Sequence, residues 1–501
     1  MNPLLLTDGY KTSHHRMYPE GTTLVYSNFT PRNVKYMPEG AKKIVVFGLQ
    51  ATIRYIDEIY NENFFKKDKA FVCGEAKEYL SAYLGTDYDV SHFEALHDLG
   101  YLPICVKGLE EGSIITEKIP VMTIYNTHPD FYWLPNFLET LISSLIWKPM
   151  HSASMAYGYK TILTKYAKLT DKDNLGFVDF QGHDFSFRGM QHPEAAVTSA
   201  LGFLTSFKGT DTIAALQGAE KYYNSKDVGY SVPASEHAVM TAYGKENEID
   251  GFRRLMQQYP TGILSVVSDS FDLWKVCTEY MVEMKDEILA RDGKLVLRPD
   301  SGDPVDIICG LNSKEGFEES LKDGVYQKHS QWFVGQNEPK VKGVIELLWD
   351  VFGGTVNEQG YKVLDPHIGC IYGDSITLEK AEQICMRLKD KGFASTNVVL
   401  GVGSYSLGYA TRDNQGGAVK AVYCEVNGVG REIFKDPITD DGTKKSAKGL
   451  LRVDKDFLGK DYILMDEVTW DEERTGLLKE IYSCGIFHSV TTLHEIRARL
   501  N

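Results

Sequence analysis

The stretch LSVVSDS (264–270) sets the pattern from which the fold follows: a short apolar run, an acidic turn, and then a helical pattern. The helical pattern continues from Phe271 to Met284. The same order recurs at LVLRPDSG (295–302), IGCIYGDS (368–375) and NVVLGVGS (397–404). Alternating strands and helices are typical of a parallel sheet with helices on its outside. We therefore predict an α/β fold in which residues 149–404 form an irregular β/α barrel, whose active site lies in the loops after the strands.

The two ends of the chain follow a different pattern from the middle. Residues 102–126 alternate apolar and polar side chains between Gly and Pro, which indicates antiparallel strands, and this alternation returns from about residue 405. Residues 131–147 carry an aromatic, apolar stripe typical of a core helix. We predict an N-terminal α+β part (1–148) and a C-terminal β-rich part (405–501) that pack together as a second, β-rich α+β domain.

Composition limits the class of protein. The chain has 501 residues, of which 43% are hydrophobic and 25% charged, as in soluble globular proteins, and its net charge is -15. The negative charge argues against nucleic acid as a partner. No run approaches the roughly 18 apolar residues of a membrane span, and the N-terminus lacks the pattern of a signal peptide. The eight cysteines form no CxxC pair. They are expected to be reduced core residues of a cytoplasmic protein.

The segment GYSVPASEH (229–237) joins a turn-forming run to a helical pattern. We expect Ser235 to be the N-cap of that helix and His237 to lie in its first turn, near free backbone N–H groups. A histidine there would be favoured to carry an anionic phosphoryl group. Adjacent His14 and His15 point in different directions in a helix or strand, which disfavours a metal site there.

Several common site motifs are absent, namely GxxxxGK[ST], GxGxxG, HExxH and GxSxG. Three other segments offer binding chemistry. HDFSFRG (183–189) joins aromatic rings, which can stack on a flat heterocycle, to an arginine. Asp211 in FKGTDT (207–212) would accept hydrogen bonds from a ligand NH2 group and would repel a carboxylate. The turn Gly401-Val402-Gly403 would leave backbone N–H groups open to a phosphate.

Together these segments resemble the nicotinamide phosphoribosyltransferase family, in the form of its bacterial and phage-type members. The matching motifs are HDF-x-F-RG (183–189), FKGTDT (207–212), GYSVPASEH (229–237), VVSDSFD (266–272), LRPDSG (297–302), GDS (373–375) and TRD (411–413). LLLTDGYK-x-SH (4–14) and FKDP-x-x-D (434–440) are similar to that family too. The resemblance runs in consistent order from about residue 4 to the C-terminus.

The resemblance implies the barrel of the type II phosphoribosyltransferases and a reaction of NAD salvage. Nicotinamide and 5-phosphoribosyl 1-pyrophosphate would give nicotinamide mononucleotide and pyrophosphate. The family uses Mg2+, couples ATP hydrolysis through a phosphohistidine, and forms homodimers with active sites at the subunit interface.

The resemblance also implies residue roles. His237 would be the phosphorylated histidine, and Asp269 and Asp300 would serve the ribose, the metal ion or the phosphohistidine network. Phe185 and, from the partner subunit, Tyr10 would enclose the pyridine ring. Asp211 would bind the carboxamide nitrogen. Further ligand contacts would come from Arg188, Arg298, Gly373, Asp374, Gly401 and Gly403, and from the partner's Arg412 and Lys420.

The sequence departs from the family pattern at Phe187, where a tyrosine is usual, so that a hydroxyl contact would be lost. Val402, Ser404 and Ala418 alter the expected phosphate contacts. Three alternatives stay open. Nicotinate phosphoribosyltransferase has the same fold but would need the opposite charge beside the ring substituent. A barrel aldolase or sugar-phosphate isomerase would need a lysine or an acid–base pair at the strand ends. A non-catalytic binding protein would not need His237, Asp211, Arg298 and Asp300.

Overall fold

The computed structural model describes residues 1–311, 338–373, 376–434 and 447–500, and Asp374 and most of the FKDP segment lie outside these ranges. The chain divides into two compact units. The first comprises residues 1–154, 217–226 and 410–501, and the second comprises residues 155–216 and 227–409.

The strands are β1 (Thr22–Thr30), β2 (Ile44–Val45), β3 (Ile104–Gly108), β4 (Ile114–Ile115), β5 (Met122–Asn126), β6 (Gly182–Asp184), β7 (Gly209–Thr210), β8 (Thr261–Val267), β9 (Asp292–Arg298), β10 (Gly354–Val356), β11 (Lys362–Leu364), β12 (Ile368–Tyr372), β13 (Val398–Val402), β14 (Ala418–Val426), β15 (Val429–Glu432), β16 (Leu450–Lys455), β17 (Tyr462–Val468), β18 (Lys479–Ser483) and β19 (Ile486–Phe487).

The α-helices are α1 (Leu49–Tyr60), α2 (Lys69–Leu84), α3 (Ser91–Leu99), α4 (Leu134–Phe137), α5 (Glu139–Thr170), α6 (Val178–Gln181), α7 (Pro193–Phe203), α8 (Ala214–Tyr223), α9 (His237–Thr241), α10 (Glu248–Gln258), α11 (Leu273–Lys275), α12 (Met281–Glu283), α13 (Lys285–Leu289), α14 (Pro304–Cys309), α15 (Pro339–Phe352), α16 (Leu378–Asp390), α17 (Ser404–Gly408), α18 (Trp470–Thr475) and α19 (Leu493–Leu500). Two π-helical segments, Asn61–Phe65 and Val276–Tyr280, interrupt this series.

The second unit is built on a parallel sheet of six strands in the order β7-β6-β13-β12-β9-β8. Its two edge strands are bridged by a short piece of chain, because Tyr230 pairs with Gly209 of β7 and Ala234 pairs with Ser265 of β8, both in parallel. The six strands and this bridging segment form a closed ring, in which β6, β7, the bridging segment, β8, β9, β12 and β13 follow one another in the order of the sequence. The predicted irregular β/α barrel is confirmed, and the segment 230–234 completes its wall.

The repeated apolar runs of the sequence form the barrel strands because they are buried on both faces. All of β12 is buried. The helix after it, α16, buries the predicted face of Leu378, Ala381, Ile384, Cys385 and Leu388 and ends at Asp390, just before Gly392. Pro304 begins α14 as expected, and the Asp303 side chain caps that helix by accepting from the Val305 and Asp306 N–H groups.

The helix predicted from Phe271 to Met284 is confirmed in type but differs in detail. It begins at Leu273, because the Asp272 side chain accepts hydrogen bonds from the Trp274 and Lys275 N–H groups and caps the first turn. Its middle, Val276–Tyr280, is π-helical before α12 continues to Glu283. The periodicity of apolar side chains predicts such a helix but does not show a local change of hydrogen-bond register.

The first unit contains an antiparallel sheet of seven strands in the order β15-β14-β1-β5-β3-β18-β19. Strand β1 pairs with β5 on one side and with β14 on the other, and β3 pairs with β5 and β18. The three N-terminal strands β1, β5 and β3 therefore form the centre of this sheet, and C-terminal strands flank them on both sides. This arrangement confirms the predicted β-rich α+β domain. The antiparallel strands predicted in residues 102–126 are also confirmed.

The helix predicted over residues 131–147 has different bounds, since the structure divides it between a short turn, α4 and the long α5, which continues to Thr170. Its apolar stripe is core, as predicted: Phe131, Trp133, Leu134 and Phe137 are buried. Among the helices of the described residues, none has the length and apolar character needed to span a membrane.

Candidate active site

His237 lies at the start of α9, which has only five residues. Ser235 is not the N-cap, contrary to the prediction; Glu236 takes that position without a side-chain hydrogen bond. Ser235 instead belongs to the segment along β8, where its buried hydroxyl accepts from Val267 N–H at 3.0 Å. Such a short helix has a small dipole, so the position of His237 depends mainly on its side-chain contacts.

Two side chains contact the imidazole of His237 from the loops after β8 and β9. Nδ1 lies 3.0 Å from the Ser270 hydroxyl, and Nε2 lies 3.1 Å from Asp300 Oδ1. A second carboxylate, Asp269 Oδ1, is 3.9 Å from Nε2. Because a carboxylate can only accept, the contact with Asp300 requires a hydrogen on Nε2. In the neutral ring, Nδ1 is then the acceptor and faces the serine hydroxyl.

Asp269 is held rigidly, yet one of its oxygens is unused. Oδ2 accepts from the backbone N–H groups of Asp300 at 2.9 Å and Ser301 at 2.8 Å, which ties the β8 and β9 loops together. Oδ1 is buried and accepts no hydrogen bond within the described part of the chain. One ligand atom each from His237, Asp269 and Asp300 lie within 4.8 Å of one another. A buried, unpaired carboxylate oxygen beside a second carboxylate fits a hard divalent cation such as Mg2+.

Phe185 forms the aromatic surface of a second cluster in the same unit. The guanidinium carbon of Arg298 lies 5.8 Å from the centre of its ring, and the His183 ring centre lies 4.6 Å away. Gly401 packs directly against this ring: a Cβ atom there would lie 2.7 Å from a Phe185 ring carbon. The half-buried ring therefore keeps one face supported by the barrel, as a stacking surface for a flat ligand requires.

Asp211 directly follows β7, and His183, which packs on the Phe185 ring, links it to this ring surface. Its Oδ1 accepts from His183 Nε2 at 2.8 Å and from the Ser231 hydroxyl at 2.7 Å. Burial raises the pKa of Asp211, but these two hydrogen bonds and the charges of His183 and Arg298 outweigh burial and hold its pKa below the usual value. The group is therefore an ionised acceptor at neutral pH.

Asp184 has a structural role that the sequence pattern does not predict. It is fully buried, and its two oxygens accept from Ser186, Thr210 and Thr212. The carboxylate thereby connects the loops that carry Phe185 and Asp211. A buried charge is tolerated only with several hydrogen bonds. Asp184 is the last residue of the short strand β6, and its place between a glycine and an aromatic segment is the only sequence signal for this role.

The glycines that the resemblance assigns to the ribose (Gly373) and to its phosphate (Gly401 and Gly403) have different local structures. Gly401 is part of β13 and pairs with His183 of β6, so it does not lie in a turn, contrary to the prediction. Gly403 follows the strand and precedes α17. Gly373 lies at the end of β12, where a Cβ atom would be 3.4 Å from Asp300 Cβ. Arg188 is exposed in a short turn together with Phe187.

The first unit contains the three residues that the family pattern assigns to a partner subunit. Tyr10 and Lys420 line one cavity of about 480 Å3, together with His14, Tyr18 and Glu139. Arg412 is exposed in a turn, and its Nη2 lies 3.4 Å from Asp413 Oδ1. The structure therefore brings Tyr10 and Lys420 together, whereas Arg412 is not among the residues lining that cavity.

Comparison with known proteins agrees with this geometry. Residues 180–485 match the model of the Nicotinate phosphoribosyltransferase (NAPRTase) family, and residues 2–106 match Nicotinamide phosphoribosyltransferase, N-terminal domain. A nicotinamide phosphoribosyltransferase of Acinetobacter baylyi is 47% identical, with 100% of this chain and 97% of that protein covered. A nicotinamide phosphoribosyltransferase of Xanthomonas campestris pv. campestris is 32% identical, with 99% of this chain and 97% of that protein covered.

Two solved structures share the fold over nearly the whole chain. A nicotinate-nucleotide pyrophosphorylase from Pyrococcus furiosus has a TM-score of 0.51 at 14% identity and covers 100% of this chain and 94% of its own. A human nicotinic acid phosphoribosyltransferase also has a TM-score of 0.51, at 15% identity, and the match covers 99% of this chain and 93% of that chain. Barrel, site and similarity together define an enzyme of the phosphoribosyltransferase class. Within that class, the chain belongs to the nicotinamide phosphoribosyltransferase family.

Proposed function

We propose that this enzyme transfers phosphoribosyl from 5-phosphoribosyl 1-pyrophosphate to nicotinamide and releases pyrophosphate, a step of NAD salvage. The observation that carries the proposal is the ionised Asp211, which His183 links to the Phe185 ring. Relatives named nicotinamide phosphoribosyltransferase at 47% and 32% identity support it. Nicotinic acid would bring a second negative charge next to Asp211, in a partly buried site where such repulsion is strong.

The base pocket would act by positioning. Phe185 would stack on the pyridine ring, Asp211 would accept from the carboxamide NH2, and Arg298 and Arg188 would meet polar groups of the ligands. The ring nitrogen of nicotinamide is already a nucleophile, so the reaction needs no strong general base. Holding that nitrogen in line with C1 of the ribose can supply much of the rate. Gly373 and Asp374 would contact the ribose, and the segment from Gly401 to Gly403 would border its phosphate.

Asp269 and Asp300 would hold Mg2+, to which their carboxylate oxygens are suited. The ion would neutralise charge that develops on the departing pyrophosphate. The chain's own contribution is to keep Asp269 Oδ1 free and aimed beside Asp300, because Oδ2 is occupied by two backbone N–H groups. His237 nitrogen is a poorer ligand for this hard cation.

His237 would couple ATP hydrolysis to the transfer. Its Nε2–H donates to Asp300, so the Nδ1 lone pair facing Ser270 would attack the γ-phosphorus of ATP. A bond forms between Nδ1 and phosphorus, the bond to the bridging oxygen breaks, and ADP leaves. Asp300 stabilises the positive charge that the ring gains. Hydrolysis of the phosphohistidine later restores the neutral ring and releases phosphate.

Tyr10, Arg412 and Lys420 would enter the site from a second subunit of a homodimer. The shared cavity of Tyr10 and Lys420 supports this assignment, since one side chain offers a ring for the second face of the pyridine and the other a cation for phosphate. All eight cysteines are free, in keeping with the proposed cytoplasmic location.

The function is tested by measuring nicotinamide mononucleotide formed from nicotinamide and 5-phosphoribosyl 1-pyrophosphate, with and without ATP and Mg2+. The proposal predicts product with nicotinamide, more of it with ATP, and none after chelation of the metal. Nicotinate phosphoribosyltransferase remains the second candidate, because the family model over residues 180–485 bears that name. Turnover of nicotinic acid in preference to nicotinamide would establish that candidate instead.

A further inference from the structure

Asp211 receives both of its side-chain hydrogen bonds on one oxygen. His183 Nε2 and the Ser231 hydroxyl donate to Oδ1 at 2.8 and 2.7 Å. In the part of the chain that the structure describes, no hydrogen bond ends on Oδ2. The Asp211 side chain is 44% exposed, so the second oxygen is open to a ligand. The carboxylate is thus prepared to accept from one further donor.

We propose that His183 and Ser231 are positioning residues that set the choice between a pyridine amide and a pyridine acid by holding Asp211 through Oδ1. This inference rests on the proposed function and deepens it. With Oδ1 occupied by two donors, the carboxylate can only offer Oδ2 to the ligand, and only as an acceptor. An NH2 group satisfies that oxygen, whereas a carboxylate has no hydrogen to donate.

The position of His183 is fixed by the backbone around it. Its strand β6 pairs with β13 at Gly401 and with β7 at Gly209. A Cβ atom at Gly209 would lie 2.6 Å from His183 Nδ1, so a glycine is needed there to admit the imidazole. The ring also lies against Phe185, with the two ring centres 4.6 Å apart. One side chain therefore couples the stacking surface to the selective carboxylate.

Removing either donor would raise the pKa of Asp211 and would also free its carboxylate to change orientation. Among the residues that the structure describes, His183 and Arg298 are the charged or titratable groups with the largest influence on Asp211. Burial raises the pKa of Asp211, and the two hydrogen bonds are the first influences that oppose burial. Without them the carboxyl would protonate at higher pH. A protonated Asp211 can donate a hydrogen bond to a carboxylate, so that nicotinic acid becomes an acceptable substrate in the acid range.

The test compares kcat/KM for nicotinamide and nicotinic acid across about pH 5.5 to 8.5, a range that covers histidine titration. The variants are His183→Phe, which keeps a ring but removes the donor, and Ser231→Ala. Each should reduce the amide-to-acid ratio by about tenfold or more, the size expected for one hydrogen bond to a charged group. The reduction of the amide-to-acid ratio should grow as pH falls, and it should arise mainly from changes in the KM values of the two bases.

His183→Gln is the rescue variant, because its amide can donate to Asp211 and should restore part of the ratio. His367→Phe is the matched control: it removes another histidine hydrogen-bonded to an aspartate, at 2.7 Å from Asp365, before β12 begins. It should leave the ratio unchanged. Ser231→Ala, at an exposed position, keeps the proposal testable should His183→Phe fail to fold.

The two proposals fail in different ways. A wild-type enzyme that forms no nicotinamide mononucleotide would overturn the proposed function itself. The roles of His183 and Ser231 alone would be overturned by a different result. In that case the wild-type enzyme would prefer nicotinamide, and the amide-to-acid ratio of kcat/KM in Ser231→Ala and His183→Phe would equal the wild-type ratio at every pH.

Discussion

Gly401→Ala distinguishes the observed role of this glycine from the role expected from its sequence. The sequence pattern suggested an open turn for phosphate, whereas the structure places Gly401 in β13 against the Phe185 ring. A Cβ atom would lie 2.7 Å from a Phe185 ring carbon and 2.7 Å from the carbonyl oxygen of Tyr372, against 3.4 Å or more in ordinary contacts. To restore an ordinary contact, the ring must move by about 0.7 Å. The carbonyl belongs to the paired strand β12 and cannot yield easily, so its contact with the Cβ atom also strains the pairing of β12 with β13.

Overpacking of this kind costs about 1–3 kcal/mol of folding free energy. We expect that loss in urea unfolding. We also expect a KM for nicotinamide raised by about fivefold or more, since a displaced ring loses roughly 1 kcal/mol or more of stacking. The KM for 5-phosphoribosyl 1-pyrophosphate should change little. Gly176→Ala is the matched control, because nothing lies within 4 Å of its added Cβ. A rise in the KM for 5-phosphoribosyl 1-pyrophosphate with nicotinamide binding unchanged would refute the packing argument.

Three further outcomes are expected. His237→Ala should abolish acid-labile label from γ-labelled ATP, and a labelled variant would exclude this histidine as the acceptor. Asp211→Asn should lower discrimination against nicotinic acid by about 1–3 kcal/mol, the range for one hydrogen bond to a charged group; an amide-to-acid ratio of kcat/KM equal to that of the wild type would remove Asp211 from that role. Burial, with a smaller contribution from Lys148, lowers the pKa of His151 to about 3 in the folded protein. Below about pH 6.5 the unfolded chain therefore binds a proton at His151 that the folded protein does not, and the free energy of unfolding decreases as pH falls. His151→Leu should therefore flatten the fall of unfolding free energy between about pH 6 and 4 by up to about 1.4 kcal/mol per pH unit; an unchanged slope in urea unfolding would count against this.

Much of the barrel could be predicted because its signals are local. Apolar runs buried on both faces, acidic turns and a proline at a helix start each need only a few neighbouring residues. The sharing of one sheet by the chain ends also followed from alternation in both. Family membership now removes the barrel aldolase and the non-catalytic binder as alternatives.

The details that the sequence did not reveal depend on contacts between distant segments. Ser235 looks like a helix cap, but its hydroxyl is used by the neighbouring strand β8 instead. The segment from Tyr230 to Ala234 reads as a turn because it contains a proline and few apolar residues, yet it bridges two barrel strands. His183 and Ser231 converge on Asp211 only because the barrel brings the ends of its strands together.

The central claim, that an ionised Asp211 selects the amide, is tested most directly by competition in one vessel. Equal concentrations of nicotinamide and nicotinic acid would react with limiting 5-phosphoribosyl 1-pyrophosphate, and the two mononucleotides would be separated by anion exchange. We predict that nicotinamide mononucleotide is the dominant product of the wild-type enzyme and that Asp211→Asn shifts the products toward the acid. Nicotinic acid mononucleotide in equal or greater amount from the wild-type enzyme would contradict the claim.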